Sequence, residues 1–184
     1  MSTAERTRGP GVAEAEAVAA RVTDPEMPML TLFDLGVLRE VVVEAHPAGT
    51  AGTAGTVVTV ALTPTYSGCP AMATMRDDLV RALTEAGFDE VRVQVRLSPP
   101  WTSDWITPRG RAALREHRIS PPGAVEARPA GPVPLSLGAT RRELACPRCG
   151  SDGPELTSEY GPTVCTALYR CTACGEPFEH VKEI

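Results

Sequence analysis

Four cysteines near the carboxyl terminus are spaced as two Cys-x-x-Cys-Gly motifs, CPRCG at 146–150 and CTACG at 171–175, with 21 residues between Cys149 and Cys171. Each short turn lets two thiolates face one ion while backbone N–H groups freed by the glycine donate to sulfur, and two such turns complete a tetrahedron. The 44 residues from 141 to 184 are too few to fold on apolar burial alone. A bound ion would supply much of the folding free energy, on the order of 10 kcal/mol for structural zinc. Cys146, Cys149, Cys171 and Cys174 are therefore expected to hold a closed structural ion, zinc before others, although the same thiolates suit a mononuclear iron that passes electrons. Cys165 complicates a four-ligand account. It is open to three roles: a buried small hydrophobe beside the ribbon, a substitute ligand, or part of a larger cluster site.

The sixth cysteine stands apart in TPTYSGCPAM, residues 63–72. Cys69 follows a β-branched run and a turn at Gly68 and precedes Pro70, which suits the first position of a helix. A thiol at the amino-terminal side of a helix is near unsatisfied N–H groups and the positive end of the dipole, both of which favour thiolate. The competing reading is an inert buried cysteine. TDPEMP (23–28) and FDLGVLREV (33–41) bring acidic residues to loops that could fold near Cys69. Asp24, Glu26 and Asp34 are thus candidates for the same site, or turn-forming and capping residues.

The elements that must position these groups read as follows. GVAEAEAVAARV (11–22) repeats apolar residues on one helical face and ends at two prolines. VLREVVVEA (37–45) and TVVTVALT (56–63) are strands, joined by the low-complexity loop HPAGTAGTAGT. Met72, Met75, Leu79, Leu83 and Ala86 mark a second helix that Gly87 stops, and VRVQVRL (91–97) alternates as a strand with one wet face. The fold class is α+β: a small helix-strand-strand-helix-strand domain with a three-stranded sheet, plus a carboxyl-terminal zinc-ribbon-like module. A further helix is expected from Pro108, capped by Thr107, to about His117. The expected organisation is a disordered 1–10, a first domain over 11–120, a Pro-rich linker over 121–140 and the cysteine-rich module over 141–184.

The formal net charge is -5, and residues 141–184 carry five Arg or Lys against seven acids. That balance disfavours nucleic acid as a partner, because phosphate binding needs a local excess of cations. No segment has the apolar length of a signal peptide core or a membrane span, so neither membrane nor export is expected. A cytoplasmic placement follows, in which six cysteines point to metal or thiol chemistry before disulfides.

DPEMP, DLGVLREV and TPTYSGCPA together resemble the small metal-sulfur cluster assembly domain of bacterial SufT-like factors and eukaryotic cytosolic iron-sulfur targeting factors. LSPPWTSDWIT, GRAALREHRISPP, CPRCGS and CTALYRCTACGEPFEHVK are similar to the D (also called J) subunit family encoded with bacterial phenylacetyl-CoA epoxidase, a multicomponent ring-oxygenating system. The resemblance runs from about residue 17 to 182. It implies an accessory role in maturing or inserting an iron or iron-sulfur centre, with Cys69 as the motif cysteine and a transient cluster or iron as its cargo. It implies as partners the other epoxidase components or an iron-sulfur client, and a homodimer is compatible with it. The tail closes as FEHVKEI, without the final cysteine or aromatic of some relatives.

Three other functions compete with a maturation factor. An electron-transfer component would keep redox iron in the tail, but no Gly-rich nucleotide or flavin loop accompanies it. A cysteine-nucleophile enzyme lacks a base, since His46, His117 and His180 each read as solvated. A subunit that only bridges others is the fourth. The chain is thus expected to assist an oxygenase and not to carry the ring chemistry.

Overall fold

The computed structural model describes residues 11–46, 55–125 and 144–184. The amino-terminal 1–10, the tip of the low-complexity loop and most of the Pro-rich linker lie outside the described residues. Two compact units divide between Trp101 and Thr102.

In the first unit the order is α1 (Val12–Ala19), β1 (Leu38–His46), β2 (Gly55–Leu62), α2 (Met72–Glu85) and β3 (Glu90–Val95), which is the expected helix-strand-strand-helix-strand sequence. The sheet order is β1-β2-β3. β1 pairs antiparallel with β2, and β3 lies parallel to β2 after the α2 crossover. α1 packs on β1 and α2, while α2 packs on β3.

Burial follows the periodicities. α2 buries Met75, Leu79 and Leu83, and β2 buries Val57, Val58, Val60, Ala61 and Leu62. α1 is shorter than its sequence pattern and buries the small Ala15 and Ala19, leaving Val12 45% exposed. β3 departs further from expectation. Val91 and Val93 are only half-buried, and Val95 is exposed. An alternating strand at a sheet edge need not pack its apolar row into the core.

The described residues of the second unit form a 3-10 turn (Ser103–Trp105), α3 (Pro108–Glu116), β4 (Glu155–Ser158), β5 (Thr166–Arg170) and β6 (Pro177–Val181). The Thr107 hydroxyl accepts from the Gly110 amide at 3.0 Å with Pro108 opening the helix, as expected. The ribbon sheet runs β4-β5-β6, antiparallel throughout. Leu144, Ala167, Tyr169 and Phe178 form its small core with Cys146 and Cys171.

Residues 102–125 belong to this unit, whereas the sequence grouped 102–120 with the first domain. The reason lies in backbone hydrogen bonds that composition does not reveal. Ser103 N–H donates to Ile184 O at 3.0 Å, Ser120 N–H to Glu179 O at 2.8 Å, and Val181 N–H to Ser120 O at 3.0 Å. Among the described residues no helix is long and apolar enough to cross a membrane.

Candidate metal centre

The loops before β4 and before β6 carry the four knuckle cysteines. The two are built alike. Cys146 N–H donates to Ser151 O at 2.9 Å and Cys171 N–H to Glu176 O at 2.8 Å, so each loop is closed five residues on. Gly150 N–H returns to Cys146 O at 2.9 Å and Gly175 N–H to Cys171 O at 3.0 Å. Both glycines sit at φ +74°, where a side chain would be strained.

The result is one cluster. The four Sγ atoms lie within 4.8 Å of one another. Cys146 Sγ is 3.8 Å from Cys174 Sγ, and Cys149 Sγ is 3.6 Å from Cys171 Sγ. A tetrahedral ion with metal–sulfur bonds of about 2.3 Å requires edges of about 3.8 Å. The donor set therefore fits a tetrathiolate ion, zinc or iron alike. All four positions come from protein, which leaves no site for water or substrate and suits structure or electron passage over Lewis-acid catalysis.

The Ser151 hydroxyl, 3.0 Å from Cys171 Sγ, is the chief cause that holds Cys171 down at about 6. Cys149 is lowered as well, by the hydroxyl and then the amide of Ser151. Cys174 is pushed up to about 12: the Glu176 amide lowers it, but burial and the hydrogen bonds from the other three thiols outweigh that. Thiols this crowded resist full ionisation until a cation arrives, which then displaces the protons.

Cys165 lies outside the cluster. It is buried in the turn just before β5 with its Sγ 3.0 Å from Thr163 Oγ1. His180 overturns its solvated reading: it is fully buried, edge-on to Tyr169, with Nδ1 3.3 Å from Ser120 Oγ. Residues that sequence reasoning passed over are Ser151 and the Arg148–Glu176 pair. The signal was present in the two motifs, CPRCGS and CTACGE, which differ in the residue after the glycine.

In the first unit Cys69 is half-buried on the loop between β2 and α2. Its N–H donates to Tyr66 O at 3.3 Å, and its carbonyl accepts from Met72 N–H at 3.4 Å. α2 begins at Met72 with Ala71 as N-cap, later than the expected start at Pro70. Cys69 thus stands two residues ahead of the cap, at the edge of the dipole's range. Asp24 is buried, and its Oδ1 accepts from the Glu26 and Met27 amides, both at 2.8 Å. Asp34 is buried and trades hydrogen bonds with Thr31, whose hydroxyl donates at 2.6 Å and accepts from the Asp34 amide at 3.1 Å. Both carboxylates are engaged in turns. Glu26 is exposed, and its carboxyl is raised by partial burial and by the nearby Asp24 charge. Among the described residues, Cys69 and these acids are not gathered into a ligand cluster; the four knuckle cysteines are.

The chain joins a three-stranded α+β domain that carries a loop thiol to a ribbon whose four thiols are clustered as for one ion. Residues 13–97 match the family model described as iron-sulfur cluster assembly protein, and residues 130–182 match the PaaD zinc beta ribbon domain. The chain belongs to the family of 1,2-phenylacetyl-CoA epoxidase D subunits: it is 40% identical over 173 residues to the Escherichia coli (strain K12) chain of that name, covering 94% of this chain and 93% of that one. Two solved structures are loosely similar. The crystal structure of a domain of unknown function from Bacillus anthracis is 22% identical with a TM-score of 0.48, over 56% of this chain and 90% of that one. A Mycobacterium tuberculosis protein described as associated with Fe-S complex assembly and repair is 31% identical with a TM-score of 0.31, over 57% and 81%.

Proposed function

We propose that the chain is an accessory component of the phenylacetyl-CoA ring 1,2-epoxidase system that matures an iron or iron-sulfur centre, with Cys69 as the group that hands on the cargo. The observation that carries this reading is the division of labour between the two cysteine sites. The ribbon spends four thiolates on one closed position, whereas Cys69 is a half-buried thiol on a loop. A closed site holds its ion; a single thiolate can bind cargo and release it.

One sulfur does not complete the coordination of iron or a cluster. The other ligands would come from the client polypeptide, a second copy of this chain, or the exposed Glu26. Asp24 and Asp34, engaged in turns, shape the neighbouring loops instead of ligating. The ribbon, with zinc at Cys146, Cys149, Cys171 and Cys174, would serve as a module for docking onto other epoxidase components in the cytoplasm. Cys165 would act as a core residue of that module.

Iron in the ribbon, passing electrons to the oxygenase, is the second reading, and the 3.6 and 3.8 Å sulfur edges accommodate it equally. Metal analysis and the visible spectrum of anaerobically purified chain separate the two: colourless protein with one zinc supports the first, and a thiolate-to-iron spectrum the second. The cargo role is tested by Cys69→Ser, which keeps nearly the same volume and removes the soft donor. Cells carrying only that variant should accumulate epoxidase polypeptides with an under-filled metal centre and grow poorly on phenylacetate. Full metal occupancy at normal levels of the variant would sink the idea.

A further inference from the structure

The two knuckles share a backbone, yet the residues that close them use their side chains in opposite ways. Ser151 Oγ lies 3.2 Å from Cys149 Sγ and 3.0 Å from Cys171 Sγ, touching one sulfur from each knuckle. Glu176, its counterpart, extends to Arg148 and, at 3.8 Å, Arg118. Against a thiolate, which has no proton, the serine oxygen can act only as donor. It has one hydrogen for two sulfurs.

Two of the four cysteines, Cys146 and Cys171, are each 2% exposed, so approach from solvent falls to Cys149 and Cys174. Each of these receives an amide from the residue two positions on, Ser151 or Glu176 respectively. The hydroxyl is the difference between them. A hydrogen bond to a metal-bound thiolate withdraws electron density from sulfur, and nucleophilicity falls with it. Arg148 also faces Cys174, but its guanidinium is engaged by Glu176 and half in solvent.

We propose that Ser151 is a positioning residue that shields Cys149 and Cys171, and that Cys174 is consequently the ligand at which the bound ion's shell opens to electrophiles. This rests on the reading of the four cysteines as ligands of one ion. It gives the site a direction: attack and metal loss begin in the second knuckle, while the first keeps its grip.

The experiment uses the full chain loaded with cobalt(II) or zinc, as wild type, Ser151→Ala and Ser151→Thr. In zinc-loaded wild type, limiting N-ethylmaleimide should label Cys174 first, read by peptide mass mapping of single-hit product. In Ser151→Ala the initial labelling rate of Cys149 should rise about tenfold, the factor carried by one charge-assisted hydrogen bond. The sulfur-to-cobalt charge-transfer band should move to lower energy in Ser151→Ala and return in Ser151→Thr, with one ion per chain in all three. Labelling of Cys149 first in wild type overturns the proposal, as does a cobalt spectrum and labelling rate that Ser151→Ala leaves unchanged. Wild type that gives no tetrathiolate cobalt spectrum overturns the ion reading itself, and this proposal with it.

Discussion

Arg148 of the first knuckle closes an ion pair with Glu176 of the second, so the loops that carry the four thiolates are tied by a bond that involves no sulfur. The Arg148 side chain is 54% exposed and that of Glu176 26%. A pair so placed contributes little in water and is screened by salt. Arg148→Gln is expected to keep one ion per chain and to release it to a chelator no more than a few-fold faster. The difference should fade at high ionic strength. A variant that loses its ion outright would show that the pair is required to hold the two loops around the ion.

The first unit is expected to depend on apolar burial and not on metal. Leu79 and Leu83 are fully buried on the α2 face that packs against the sheet. Leu79→Ala should destabilise that unit by about 2–5 kcal/mol, the cost of lost transfer plus the cavity left behind. Denaturant titration followed by circular dichroism measures it. The cobalt spectrum of the ribbon should not move, which checks that the two units fold independently.

How far these features were legible differs by element, for physical reasons. Strong periodicity located α2 within a residue or two, because Met75, Leu79 and Leu83 form one stripe that has to be buried. The knuckles were legible because Cys-x-x-Cys-Gly fixes geometry locally, down to the positive φ at Gly150 and Gly175. β3 was legible as a strand but not as an edge, since alternation reports pleat and not what covers each face. The attachment of 102–125 to the ribbon was hidden, because it runs through main-chain groups at Ser103 and Ser120 that any residue could supply. His180 was misjudged for a similar reason. Its burial is set by Tyr169 and Ser120, which are distant in sequence from each other.

Glu183 gives the ribbon a pH dependence of defined sign. Burial raises its carboxyl, but the Gly123 amide at 3.0 Å and the His180 ring nitrogen at 3.2 Å outweigh this and bring it from 4.5 to about 2. A carboxyl lower in the folded than in the unfolded state stabilises fully above the unfolded value, and the contribution is lost as pH falls through the folded one. In the range where the ribbon keeps its ion, the gap in stability between wild type and Glu183→Gln should therefore be complete above pH 4.5 and shrink as pH falls below it. Its size at neutral pH should be about 1 kcal/mol after discounting for solvent screening. A gap that grows on acidification would reverse the assignment.

The ribbon itself is expected to fold on its ion. Its apolar core is Leu144, Ala167, Tyr169 and Phe178 with two of the ligand cysteines, and Cys146 and Cys171 count toward both core and metal. Losing the ion therefore removes the cross-link and leaves thiols in the middle of the remaining core. Cys149→Ser and Cys171→Ser test the two halves of this argument separately, one at an exposed ligand and one at a buried one. Both should release the ion, because a neutral hydroxyl is a poor substitute for thiolate. Both should leave residues 144–184 open to protease while the first unit resists. Cys171→Ser should be the more damaging, since Cys171 is buried and a serine hydroxyl there replaces thiol in the core, whereas Cys149 is exposed. Limited proteolysis with metal analysis reads both effects. A ribbon that stays ordered and metal-replete in both variants would end the tetrathiolate assignment.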